Sequence, residues 1–370
     1  MSRLRVALLG SRGIPANYGG YETLMEELAP RLAERGLDVT VYCRSHYTPR
    51  ELTEYRGVQL VVLPTLATKY LDTPVHTFLS AIHASRKTFD AALLVNSANA
   101  IFIPLLRMAG IPTALHVDGI ERQRAKWGKV GTSIYSLSER LATKLPDAVV
   151  SDAEVVRSYF NKRWNIESWA ISYGVKAEPE PPGEVMTELG LERRRYYLYV
   201  SRFEPENNPH RVAEAYRAVE GDLPLVMVGD APYAKQFIRS FKEGADSRII
   251  FPGPIYGRGY RELLSNAFAY IHATEVGGTH PALVEAMGYG NCVVVNDSPE
   301  NRETAGGTGL LFRANDPTSL TRVLNRLNSD PSVVEEHGAN SSRRARESYD
   351  WDVVTDQYID LFGTLASKSR

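Results

Sequence analysis

Apolar residues in this chain fall into short runs, separated by stretches in which they recur every third or fourth position. The first series of runs reads RVALLG (5–10), DVTVYCR (38–44), VQLVVLP (58–64), AALLVN (91–96) and PTALHVD (112–118). The second reads YYLYVSR (196–202), LPLVMVGD (223–230), RIIFPGP (248–254), AYIHAT (269–274) and NCVVVND (291–297). Short apolar runs predict buried strands, and the periodic stretches between them, such as those from Gly20, Pro209 and Pro281, predict amphipathic helices. Strands alternating with helices imply parallel sheets covered on both faces. The rhythm pauses at AEPEPPGEVMTELGLERRR (177–195), where proline, glycine and charge dominate, so an interdomain linker begins there. The expected fold is α/β, with two Rossmann-like, doubly wound domains at 1–176 and 177–348. Ligands are expected where the strand C-termini of both face a cleft. Over 349–370, Trp351, Val354, Tyr358, Leu361 and Phe362 fall near helical spacing, so a last helix is expected to cross back onto the first domain.

Bulk composition narrows the picture without changing it. The 370 residues, 43% hydrophobic and 24% charged, suffice for two cores. A net charge of −1 gives no global field that would recruit nucleic acid. Cys43 and Cys292 stand far apart and read as small core residues in a reducing compartment. No stretch supplies the ~20 apolar residues a membrane span needs. The N-terminal run is also too short for a signal core, so a cytoplasmic protein is expected.

The first strand leads into GSRGIPANYGG (10–20). Gly10 and Gly13 are three apart and the second strand ends in Cys43-Arg44, so neither the dinucleotide fingerprint nor its ribose-binding acid is present. Gly19 and Gly20 open the following helix, where unpaired N–H groups and the positive end of the dipole suit an anion. The alternative is a purely structural turn. Pro30 is expected to kink or shorten this helix.

Five segments occur in order: VSRFEPENNPHRVAEAY (200–216), VGDAP (228–232), IIFPGPI (249–255), AYIHATEVGGTHPALVEAMGYGN (269–291) and NRETAGGTGLLF (301–312). Together they resemble the C-terminal domain of retaining nucleotide-sugar glycosyltransferases of family 4, which have the two-domain GT-B fold. GSRGIPANYGGYETL (10–24) and HVDGIERQRAKW (116–127) are similar to the N-terminal domain of bacterial rhamnosyltransferases of polysaccharide assembly. The resemblance implies that Arg202 holds the donor diphosphate. Asn207 stands where the family has a lysine, offering a neutral amide in place of a cation, with Arg258 or Arg261 as substitutes. It implies that Glu285 binds the nucleotide ribose. Eight positions earlier the family's other glutamate is replaced by Gly277. The donor sugar is then met either by Glu275 or by backbone N–H groups of Gly277, Gly278 and Thr279, ahead of a helix opened by Pro281. His280 is an additional contact and Glu303 a further acid by the same resemblance. His116 is expected beside the reacting centre as the catalytic residue, with Asp118 and Glu121 orienting the acceptor. VNSANA (95–100) is expected either to line the acceptor cleft or to form an ordinary strand-end turn.

The resemblance implies transfer with retained configuration, the departing phosphate oxygen taking the acceptor's proton. No D-x-D motif of the kind metal-dependent sugar transferases use is read here, so no metal is expected, and no cofactor besides the nucleotide sugar. The donor implied is dTDP-rhamnose and the acceptor a saccharide or a polyprenyl-diphosphate-linked saccharide. A UDP- or GDP-hexose donor, a GT-B-fold epimerase and a non-catalytic sugar-nucleotide-binding protein are the alternatives. Arg122–Lys144 carries six Lys or Arg against one acid, Glu139, with Trp127 and Tyr135 among them. It reads either as a contact for the inner face of the cytoplasmic membrane or a lipid diphosphate, or as a solvated helical face.

Overall fold

The computed structural model describes residues 3–16, 19–68, 71–117, 137–231 and 233–368. The chain divides into two compact units, Met1–Tyr173 with Trp351–Arg370, and Gly174–Asp350.

Unit 1 is built on eight strands: β1 (Arg5–Leu9), β2 (Asp38–Arg44), β3 (Glu54–Tyr55), β4 (Val58–Leu63), β5 (Ala91–Val95), β6 (Thr113–Val117), β7 (Ala148–Ser151) and β8 (Trp169–Ala170). They lie in the order β3-β4-β2-β1-β5-β6-β7-β8. Every neighbouring pair is parallel except β3–β4. The chain runs outward from β1 in one direction, then returns to β5 on its other side. That reversal is the topological switch point of a doubly wound sheet. Alternate strand residues face opposite layers: Val6, Leu8, Val41 and Leu93 pack with Leu24, Leu28 and Leu32 of α1 (Gly20–Glu34). Ala7, Leu9 and Leu94 pack with Ile103, Leu106 and Phe160 on the other face. Both faces are buried, which is why these strands read as near-continuous apolar runs. The last helix of the chain, Trp351–Lys368, adds Trp351, Val354, Tyr358, Leu361 and Phe362 to the α1 side. Arg35 at the end of α1 ties to its Asp352 and Asp356.

Unit 2 carries β9 (Tyr197–Val200), β10 (Leu225–Val228), β11 (Ile249–Gly253), β12 (Ala269–His272), β13 (Cys292–Asn296) and β14 (Leu310–Phe312). The order is β11-β10-β9-β12-β13-β14, all parallel, with its switch point between β9 and β12. Tyr197, Tyr199, Met227 and Ile271 face one layer, and Tyr196, Leu198, Val226 and Tyr270 the other. The first and last residues of this unit pair with each other: Val175 N–H donates to the Tyr349 carbonyl at 2.6 Å, and Val175 bridges Asp350.

Three expectations need adjustment. The short strands β3, β7, β8 and β14 carry too few apolar residues to register as runs. Helix α1 does not stop at Pro30; it continues to Glu34 with Pro30 buried in the core. The Arg31 guanidinium bonds the Glu27 carbonyl at 2.7 Å, one position from the carbonyl that Pro30 leaves without an N–H. Finally, D-x-D is spelled once, at Asp350-Trp351-Asp352, where Trp351 is core and Asp352 pairs with Arg35 at 3.0 Å. No helix among the described residues is long and apolar enough to cross a membrane.

Candidate active site

In unit 2 the chain leaves β9 through Ser201–Asn208 and leaves β12 through Thr274–His280, the two loops that flank the switch point. Arg202 follows the strand end, half-exposed, with Glu204 3.8 Å away. A short 3-10 turn, Pro205–Asn207, closes onto Asn208, which adopts a left-handed conformation (φ 56°) and opens the helix Pro209–Tyr216. Asn207 is buried and spends one amide N–H on the Arg202 carbonyl at 2.7 Å, while its own carbonyl accepts from the Tyr199 hydroxyl at 2.7 Å. The residue at the family's lysine position therefore braces the turn that presents Arg202. Both carboxylate oxygens of Glu206 are buried without a hydrogen-bond partner, as is Oε2 of Glu204. The turn thus sets the Glu204 carboxylate beside the Arg202 guanidinium.

The second loop is tied to the first. Glu275 N–H donates to the Glu206 carbonyl at 3.0 Å, and the Asn208 amide donates to the Ala273 carbonyl at 2.9 Å. The Glu275 side chain is exposed, whereas Gly277, Gly278 and Thr279 are buried. Gly277 is glycine for a local reason: a Cβ there would lie 2.5 Å from Cε1 and 2.7 Å from Nε2 of His280. The His280 ring also stacks at 4.8 Å, tilted by 48°, on His272 at the end of β12. Burial pushes the His272 imidazole down to about 3, so it stays neutral. His280 caps the helix Pro281–Gly288, and Glu285 projects from that helix half-buried, accepting from the Tyr260 hydroxyl at 2.6 Å. Tyr260 comes from Gly257–Asn266, twenty-five positions from Glu285, and no pattern in the sequence points to it. Arg258 and Arg261 both pair with Glu180, at 3.2 and 3.1 Å. Glu303 sits on Pro299–Ala305, its backbone carbonyl held by Arg344 at 2.7 Å.

In unit 1 the loops after β1 and β5 flank the corresponding switch point. Their glycines serve packing: a Cβ on Gly10 would meet the Val95 carbonyl at 2.7 Å, and one on Gly13 would meet Cβ of Cys43 at 2.6 Å. Gly19 is the N-cap of α1 and Gly20 its first residue. Glu22, buried in the first turn, accepts from the Arg12 N–H at 2.8 Å, and a Cβ on Gly19 would lie 2.9 Å from its Oε2. His116, 1% exposed, is the penultimate residue of β6. Tyr21, next to Gly20, sets its ring edge-on to His116 at 5.6 Å, and Tyr173 does so at 6.1 Å. The structure thus brings Gly19, Gly20 and His116 into one neighbourhood of unit 1 through Tyr21. Within unit 2 it brings Arg202, Asn207 and Glu275 together. Asn96 caps the 3-10 turn Ser97–Phe102 through Ala98 N–H at 3.0 Å, the turn chemistry of a strand end. Asp118, Glu121 and the stretch of Arg122–Lys144 up to residue 136 lie outside the described residues. In its described remainder Glu139 is buried, and Arg140 and Lys144 are exposed. Among the described residues no group of three or more His, Cys, Asp or Glu could hold a metal ion.

Comparison with known proteins fits this division. Residues 184–348 match the family Glycosyl transferases group 1, and residues 3–176 match a domain of unknown function, DUF1972. The O-antigen chain mannosyltransferase C of Escherichia coli is 22% identical, covering 95% of this chain and 96% of the relative. The alpha-maltose-1-phosphate synthase of Mycobacterium tuberculosis is 24% identical, covering 97% of this chain and 99% of the relative. Among solved structures, sucrose-phosphate synthase from Thermosynechococcus elongatus superposes with a TM-score of 0.83 at 18% identity, over 99% of this chain and 100% of that one. Anabaena HepE in complex with UDP and glucose gives 0.79 at 15% identity, over 98% and 100%. At these identities the superpositions show the fold alone.

Proposed function

We propose that this chain, a nucleotide-sugar glycosyltransferase of group 1 with the GT-B fold, works with retained anomeric configuration and without a metal ion, in surface-polysaccharide assembly. The observation that carries the reading is the position of Arg202 and the Glu275–Thr279 loop. They flank the switch point of unit 2 at the strand C-termini, inside the stretch that matches the group 1 family. Arg202 binds the donor diphosphate. One guanidinium beside Glu204 does not neutralise a diphosphate. Backbone N–H groups of Gly277, Gly278 and Thr279 and the N-terminus of Pro281–Gly288 supply the remaining donors. Glu285, steadied by Tyr260, accepts from the ribose hydroxyls. At the reacting centre the bond from C1 to the phosphate oxygen breaks as a bond from C1 to the acceptor oxygen forms on the same face. The acceptor's proton passes to the departing phosphate oxygen. In unit 1, His116, held between Tyr21 and Tyr173, is the catalytic residue of this proposal.

The donor we propose is dTDP-rhamnose, and the acceptor a saccharide or a polyprenyl-diphosphate-linked saccharide. The likeness to a mannosyltransferase and to a UDP-bound fold neighbour favours a UDP- or GDP-hexose as the second reading. Location at the inner face of the cytoplasmic membrane, through Arg122–Lys144, belongs to the same proposal. The test is turnover of each nucleotide sugar with and without acceptor, in EDTA and in magnesium. Transfer requires acceptor and survives EDTA. Product without acceptor would indicate an epimerase, and affinity without product a binding protein. Activity lost in EDTA and restored by magnesium would overturn the metal-independent mechanism.

A further inference from the structure

The chain leaves β5 of unit 1 through a strained residue. Asn96 follows Val95 with φ 75° and ψ 122°. Two other asparagines at positive φ, Asn165 and Asn208, have ψ 45° and 34°, in the left-handed basin that asparagine tolerates. Asn96 lies outside that basin, where only glycine is at ease. Its surroundings hold it there. The Asn96 N–H donates to the His116 carbonyl of β6 at 3.0 Å, and the Asn96 carbonyl accepts from the Asn99 N–H at 2.9 Å. The Val95 carbonyl accepts from the Asn99 side-chain amide at 2.8 Å, and a Cβ on Gly10 would lie 2.7 Å from the same oxygen. Both peptide groups that flank Asn96 are thus fixed, one of them against the strand that carries His116.

A turn does not require this. Glycine would adopt the same φ without strain, and Asp or Ser would cap the Ala98 N–H as the Asn96 Oδ1 does at 3.0 Å. What asparagine adds is the amide nitrogen. With Oδ1 engaged by Ala98, Nδ2 is directed elsewhere and makes no hydrogen bond among the described residues. Asn96 is half-buried at the C-terminal edge of the sheet, where the strand order turns between β1 and β5. The adjoining loop after β1 brings a second unmet group. Ser11, 1% exposed, has its hydroxyl buried without a hydrogen-bond partner. A neutral amide N–H beside a hydroxyl suits a saccharide hydroxyl, which both donates and accepts. Strain held in place by the surrounding structure, at the ligand edge of a sheet, points to use of the side chain it presents.

We infer that Asn96 is a specificity-determining residue of unit 1, whose strained backbone presents Nδ2–H to a hydroxyl of the acceptor saccharide. The inference rests on the reading of a saccharide acceptor, but saccharide binding is measured without donor or turnover, so either can fail alone. The test uses two substitutions in the full chain. Asn96→Gly relieves the backbone and removes the amide. Asn96→Asp keeps the oxygen that caps Ala98 and removes only the donor. Saturation-transfer NMR with free L-rhamnose, D-mannose and D-glucose, with no nucleotide present, reads the binding. Wild type is expected to bind at least one of these sugars, and both variants to bind it about tenfold more weakly. The melting temperature of Asn96→Gly should equal or exceed that of wild type, because the strain is gone. Affinity for UDP and dTDP should be unchanged, since Arg202 and its loop belong to unit 2. In a transfer assay the acceptor KM should rise while the donor KM does not. No sugar binding by wild type overturns the inference, as does equal binding by Asn96→Asp. A melting temperature of Asn96→Gly several degrees below wild type, with sugar binding kept, also overturns it and makes Asn96 a turn cap only.

Discussion

The two sheets share a strand order but differ in what fills the space beyond their switch points. In unit 1 the loop after β1 is closed by its own chain. Gly10 abuts β5, Gly13 abuts Cys43, and the Glu22 carboxylate accepts from the Arg12 N–H of the loop itself. In unit 2 the loops after β9 and β12 brace each other through backbone bonds and leave Arg202 and Glu275 to solvent. The same topology therefore serves two purposes. Glycines in the first loop permit backbone to touch backbone, and those in the second keep side chains away from a polar site.

The largest effect that would test this contrast is on Gly13. With φ at +122° and Cβ of Cys43 2.6 Å from an added methyl, Gly13→Ala should cost about 3 kcal/mol in chemical denaturation. Wild-type stability would show that the loop has room for a ligand after all. Acid comes next. Burial and the nearby Arg44 guanidinium push His76 in unit 1 down to about 4, and burial pushes His272 in unit 2 down to about 3. An unfolded imidazole takes its proton near pH 6.5 while these stay neutral. The unfolded state then binds more protons, and stability falls as pH drops from 6.5 through each value. His76 alone accounts for up to about 3 kcal/mol, lost by pH 4. Hydrogen exchange should show unit 2 still losing stability between pH 4 and 3, when the share due to His76 is spent. Arg202→Ala should weaken nucleoside diphosphate binding by about 2 kcal/mol, roughly thirtyfold, with melting temperature unchanged. Equal binding would move the diphosphate elsewhere. Gly277→Ala is milder than Gly13→Ala, about 1 kcal/mol, because a histidine ring can move and a backbone cannot. It should cost little more in a His280→Ala background, and additive effects would show that the glycine serves something other than the ring. The smallest change, Glu22→Gln, is the most diagnostic of unit 1. If α1 receives the diphosphate, the variant binds nucleotide more tightly; if Glu22 only caps the helix, it loses about 0.5–1 kcal/mol of stability and affinity is unchanged.

The alternation of apolar runs and amphipathic stretches determined the α/β class, the parallel sheets and the two doubly wound halves, because burial on both faces forces an uninterrupted apolar strand. The short strands β3, β7, β8 and β14 escaped it, since pairing with a neighbour completes them as strands. Motif order likewise located Arg202 and Glu285 on their loop and helix. It did not show that Asn207 braces the turn, that Arg258 and Arg261 pair with Glu180, or that Glu22 holds the Arg12 N–H. Those are side-chain contacts with groups five to eighty-one positions away, and local periodicity carries no information about them. Helix α2 (Asp72–Ala84) is the clearest case. In this helix His76, Thr77 and Ser80 face inward, and only the tertiary structure decided that, because which face is buried depends on what lies beneath the helix.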